Sequence, residues 1–159
     1  MNHDKQNNFE ALALQENTFV FEKFSRKDAL NIGLQLNENA IKYGEPIAIE
    51  ITVNGLVVFR YFSEGSVKDS EYWLLRKRNT VDLMEMSSLR FMYWLDLQGV
   101  TIADRKLNPD DYAAGGGGFP IRLRDAGVIG SICVSGLSNH FDDHQLITDT
   151  LIEFLKITV

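Results

Sequence analysis

The sequence is short of several things, and each shortage closes off a class of function. Among 159 residues there is one cysteine, Cys133, so no internal disulfide can form and the chain suits a reducing compartment. No run of about 18 apolar residues occurs, so no segment is expected to cross a membrane as a helix. Met1 to Asn8 are polar and lack the apolar stretch of a secretory signal. Basic residues are outnumbered, 16 against 22 acidic ones, and the net charge of −6 argues against nucleic acid as a partner. These absences predict a soluble, cytoplasmic chain with neither nucleic acid nor membrane as its partner.

Catalytic signatures are missing as well. Gly115 to Gly118 are not followed by the Lys-Ser/Thr of a phosphate-binding loop, and they lack the spacing of a dinucleotide fingerprint. Ser135 lacks the preceding glycine of a nucleophile elbow, and Cys133 lies in an apolar run where a thiol is inert packing. His140 and His144 have the four-residue spacing that holds a metal on one helix face. Asp142, however, reads as the start of that helix, which leaves His140 outside it and no third ligand beyond Asp142 and Asp143. No metal site is expected.

What is present is a regular pattern of elements. Residues 1–8 read as a flexible tail and 9–159 as one domain. A short helix is expected over Asn8 to Gln15, and Phe19 and Phe21 alternate in a strand over Thr18 to Lys23. Ser25 and Asp28 form a capping box for a helix with the apolar stripe Leu30, Gly33, Leu34 and Ile41, flanked by Leu36 and Ala40. Gly44 and Pro46 end it. Asn54-Gly55 joins two strands in a tight hairpin, because both central positions of its turn need positive φ. Counting outward from the turn sets Val53 against Leu56, Ile51 against Val58 and Ile49 against Arg60. Both faces of this hairpin carry apolar residues, so both should be covered. Helices follow over Asp69 to Met86 and from Ser87 or Ser88 to Leu97, ended by Gly99. Two more strands are expected over Phe119 to Leu123 and Gly127 to Ser135. A last helix from Asp142 carries Ile147, Leu151 and Phe154.

Four blocks then stand in order: Lys77-Arg78-Asn79-Thr80-Val81, Gly116-Gly117-Gly118-Phe119-Pro120-Ile121, Gly127 to Gly136, and Asp143-His144. Over roughly Asn17 to Lys156 the chain resembles the heme-degrading-domain superfamily of GlcG-like, HbpS-like and PduO C-terminal-like proteins. Its likeness is greatest to the uncharacterised cytosolic branch of that superfamily. Two positions depart from the wider pattern: Arg78 stands where an alanine is common, and Cys133 where a glycine is. The resemblance implies an α+β, profilin-like fold with a five-stranded antiparallel sheet, helices on both faces, and assembly into dimers or larger oligomers. It also implies heme or another tetrapyrrole as the ligand.

The candidate ligand-binding residues are Lys77, Thr80, Gly116, Gly117, Gly118 and His144. Lys77 shares the helical row Trp73, Lys77, Thr80, Met84. Its ammonium either snorkels past Trp73 to water or meets a bound anion, helped by Arg60 or Arg122 and by glycine amides. The glycines either make a tight connection into a strand or line a pocket. The helix over Ser88 to Leu97 is apolar around most of its circumference, so a second subunit there, or at the strand after the glycines, is the expected cover. Two functions remain. One is a small-molecule-binding domain for an anionic ligand, with enzymatic activity left open. The other is a non-catalytic oligomeric adaptor.

Overall fold

The protein is represented by a computed structural model, in which residues 2–157 are described. Helix α1 (Asn2–Thr18) leads into the two-residue strand β1 (Val20–Phe21) and helix α2 (Arg26–Ala40). The hairpin β2 (Ala48–Val53) and β3 (Leu56–Phe62) follows, then helices α3 (Lys68–Met84) and α4 (Ser88–Gln98). Strands β4 (Gly118–Leu123) and β5 (Gly127–Ser135) and helix α5 (His140–Leu155) complete the chain. The five strands form one sheet in the order β1-β4-β5-β2-β3. The fold is α+β, as expected. Pairing is antiparallel except at the edge, where β1 runs parallel to β4.

The two faces of the sheet differ in chemistry. One presents Ile49, Ile51, Phe119, Ile121, Ile132 and Val134 to α2 and α5, and these residues make the main core. The other presents Ala48, Glu50, Thr52, Ser131, Cys133 and Ser135, all buried, to α3. The second face is therefore covered as expected, but it is small and polar rather than broadly apolar. A helix can lie close over such short side chains, and every polar group trapped beneath it must find a partner.

Several local expectations are corrected. Residues 2–8 are helical rather than a tail, because α1 continues through them and lies along α4. Lys5 pairs with Asp96 at 3.7 Å, and the Arg90 guanidinium sits 4.8 Å from the centre of the Phe9 ring. The α1 contact also supplies from within the chain a cover for the aromatic helix, whose Phe91 and Leu95 are buried. Strand β4 lies between β5 and β1 in the sheet, and β1 pairs with it at Arg122 and Leu123.

The first strand shrinks to Val20–Phe21. Ser25 and Asp28 do form their capping box, but the buried side of α2 is Ala29, Ile32, Gly33, Leu36 and Ala40. Leu30, Leu34 and Ile41 face outward. The helix is rotated because Gly33 lies against the Phe59 ring of β3 where any side chain would collide. The turn at Asn54-Gly55 is as expected, with positive φ at both residues. Beyond it a bulge leaves Val58 unpaired, so Ile51 faces Phe59, Glu50 faces Arg60 and Ile49 faces Tyr61.

Candidate functional site

Helix α5 begins at His140, two residues before the expected start, because the Asn139 side chain caps it by accepting from the Phe141 amide. His140 and His144 therefore share one helix. They do not share a site. His144 is buried with Nε2 2.8 Å from Gln15 Oε1, its ring 5.8 Å from that of Phe119, and Nδ1 without a partner among the described residues. Burial lowers its pKa to about 4, so the ring is neutral. His140 stands instead at the mouth of a cavity of about 500 Å3 lying between α3, the glycine loop, the β5–α5 connection and the first turn of α5.

Lys77 forms the floor of this cavity. It is buried, and its Nζ donates to the Val134 carbonyl at 2.7 Å and to Asp143 Oδ2 at 3.2 Å. Asp143 Oδ1 accepts from the Leu137 amide at 3.3 Å. Burial pushes the Asp143 carboxyl up to about 6, against the pull of the Lys77 charge. The snorkelling expectation fails in its direction: the ammonium points inward, and Trp73 is covered by the Arg76 guanidinium, 3.9 Å from the ring centre. Arg60 and Arg122 do not help Lys77. The first is paired with Glu50 and Glu71, and the second donates to the Glu85 carbonyl.

The remaining expected residues divide by role. Gly116 lines the cavity, and its amide donates to His140 Nδ1 at 2.9 Å. A Cβ there would land on the His140 carbonyl. Gly117 has φ +118°, and a Cβ on it would strike the Val134 carbonyl and crowd Lys77 Nζ. Gly118 gives its amide to Ser88 Oγ at 2.9 Å, and Gly117 and Gly118 lie behind the cavity wall. Thr80 ties down the approach to the loop, with its hydroxyl bonded to both the carbonyl and the amide of Ala113. Lys77 and Gly116 are thus brought together at one cavity. Thr80, Gly117 and Gly118 hold its wall, and His144 lies outside it.

Sequence reasoning weighed His140 and Asp143 without placing them among the candidate binding residues, and it did not single out Ser70, which also lines the cavity. The signal for the first was Asn139, a strong N-cap residue with Asp142 three positions on. The cavity is also bounded by the start of α3, where Val67 occupies the N-cap and offers no side-chain acceptor. The Ser70 amide bonds back to the Val67 carbonyl at 3.0 Å, which leaves the Lys68 and Asp69 amides to water or a ligand. Trp73 and Val67 add exposed apolar surface at the rim. Among the described residues no group of three or more His, Cys, Asp or Glu could hold a metal ion, and no helix is long and apolar enough to cross a membrane.

Comparison with known proteins agrees with this architecture. The family described as "Haem degrading protein HbpS-like" matches residues 24–151. The chain belongs to that HbpS-like family. It is 36% identical over 137 residues to a UPF0303 protein of Yersinia pseudotuberculosis, spanning 86% of this chain and 80% of that relative. Among solved structures it is similar to Ybr137w, with a TM-score of 0.85 and 25% identity over 93% of this chain and 87% of the other. It also shares its fold with a protein solved as a PduOC:heme complex, with a TM-score of 0.68 and 18% identity over 85% and 96% of the two chains. The HbpS-like match spans α2 through most of α5 and contains every residue named at the cavity, and α1 lies outside it.

Proposed function

We propose that this HbpS-like chain binds an anionic small molecule in the cavity between α3 and α5, with a tetrapyrrole such as heme as the leading candidate. The observation that carries the reading is the convergence of donors on one half-apolar cavity. The uncapped start of α3, the His140 ring and the third N–H of Lys77 all border it, while Trp73 and Val67 supply a flat apolar rim. The Lys77–Asp143 pair is internally neutral, so the one unpaired carboxylate that an incoming anion meets among the described lining residues is the exposed Asp69 at the start of α3.

Heme is supported by the family and by the fold shared with the PduOC:heme complex. The residues suit its acidic edge: propionates would be held by Lys77 and by the amides that open α3, while the apolar rim would exclude water from the ring. Bound heme would bring redox and ligand-binding chemistry at iron.

The test uses the natural fluorescence of Trp73, isolated by Trp94→Phe on α4. Titration with hemin should quench Trp73 with a saturable one-to-one curve at micromolar concentrations. No saturable quenching by hemin or by metal-free porphyrin would refute the reading.

A second reading, self-association, is favoured by the outward Leu34 and Ile41 of α2 and the exposed Leu56 of the edge strand β3. We place the proposed contact there rather than at α4 or β4. Light scattering should give the mass of a dimer or larger assembly, and Leu34→Glu should lower it.

A further inference from the structure

His140 is the one cavity residue whose hydrogen bonding dictates what a ligand must be. Its Nδ1 accepts the Gly116 amide proton at 2.9 Å, and an amide can only donate. A neutral imidazole with Nδ1 accepting carries its single proton on Nε2. Burial and the nearby Lys77 charge keep the ring neutral by lowering its pKa. The Gly116 contact is itself rigid, because that glycine is pressed so closely to the His140 backbone that no Cβ fits between them. Nε2 has no partner among the described residues, and the ring lines the cavity.

A histidine that ligates iron does the reverse. It presents a bare nitrogen to the metal and donates its other N–H to an oxygen. Here the second nitrogen is fed by a donor, so the available nitrogen is protonated and offers no lone pair. His144 cannot stand in, since it is buried outside the cavity against Gln15.

Resting on the cavity reading above, we propose that His140 is a carboxylate-recognising residue that donates from Nε2, and that this site selects flat organic carboxylates by their acid groups without a histidine bond to iron. The chemistry needed is an acceptor oxygen on the ligand that reaches His140 Nε2 and Lys77 Nζ together. Lys77 has two of its three protons committed to Val134 and Asp143, which leaves one for the ligand. Both Asp143 oxygens are engaged, so they do not compete for the histidine proton.

The experiment compares three probes on the full chain: hemin, protoporphyrin IX and protoporphyrin IX dimethyl ester. Hemin and the free-acid porphyrin should bind with similar affinity, whereas the ester should bind at least about tenfold more weakly, the loss expected for an ionic hydrogen bond. His140→Ala should weaken both acids by about tenfold and leave the visible spectrum of bound hemin unchanged. The wild-type comparison of acid with ester remains decisive should that variant fold poorly. A low-spin, nitrogen-ligated hemin spectrum that disappears in His140→Ala would overturn the proposal, as would equal binding of acid and ester. The first outcome leaves the anionic cavity reading standing, whereas the second would leave a tetrapyrrole site that does not select anions. Failure of all three probes would overturn the cavity reading and this proposal together.

Discussion

Arg60 stands directly across the hairpin from Glu50 because Val58 is an extra, unpaired residue in β3. Regular counting from the Asn54-Gly55 turn would set Arg60 against Ile49, on the opposite face of the sheet. The bulge turns the guanidinium towards α3, where its Nε donates to Glu50 Oε2 at 2.9 Å and its Nη1 to Glu71 at 3.0 Å. Arg78 donates to the other Glu50 oxygen at 3.0 Å. Glu50 is fully buried, and this double pairing is what makes its charge tolerable there.

Replacing Glu50 with alanine should therefore cost about 3 kcal/mol or more in urea unfolding, since it strands two arginines beside a buried strand. Glu22→Ala, which removes the partner of Arg124 in an exposed pair, should leave the urea midpoint unchanged. Equal midpoints for the two variants would refute this account of the second sheet face.

How much of this was legible in the sequence depends on the range of the interaction. The Ser25–Asp28 box, the Asn54-Gly55 turn and the stop at Gly99 are local, and all three stand where local chemistry puts them. The bulge at Val58 was not legible, because the apolar alternation of β3 admits either register. Helix α1 was legible only over Asn8 to Gln15, and its full extent was not, because Glu16 is its one buried residue and no apolar stripe marks the rest. Lys77 could be flagged as a lysine on a largely apolar row. Its partner Asp143 lies 66 residues away and could not be found from spacing. His140 was lost to a two-residue error in the start of α5, which left it outside the expected helix and made His144, one turn further on, the candidate.

The glycines of the loop should differ sharply from the glycine of the hairpin turn. Gly117→Ala must strike the Val134 carbonyl at a positive φ and should cost about 2 kcal/mol or more. Gly55→Ala meets no neighbour and carries only the backbone cost, about 1 kcal/mol. Thermal or urea unfolding of the two variants side by side gives the ranking, and a larger loss at Gly55 would contradict it.

Cys133 should be silent towards thiol reagents in the folded protein. It lies fully buried on β5, and burial pushes its pKa up to about 12. At about pH 8 an aromatic disulfide reagent should label it only after denaturant is added. Rapid labelling of the native chain would mean that α3 does not cover β5 as described.

His144 should make stability fall in mild acid. Its folded pKa is depressed to about 4 from the ordinary 6.5, so its contribution is complete above 6.5 and is lost as pH falls through 4. Asp143 works in the opposite direction: its folded pKa is raised from 3.8 to about 6, so its contribution is present below 3.8 and is lost as pH rises through 6. The wild type alone therefore conceals both. The stability difference between wild type and His144→Leu should shrink by up to about 3 kcal/mol between pH 6.5 and 4. A difference independent of pH would show that the buried ring does not titrate with unfolding.

The central claim is that the cavity between α3 and α5 takes an anionic ligand, and amide NMR mapping with protoporphyrin IX tests it most directly. The account predicts that saturating ligand shifts the amides of Ser70, Gly115, Gly116 and Ser138, which surround the cavity, and leaves Asn54 and Gly55 at the far hairpin turn unchanged. Saturable shifts confined to α2 and β3, with Gly115 and Gly116 unmoved, would contradict it.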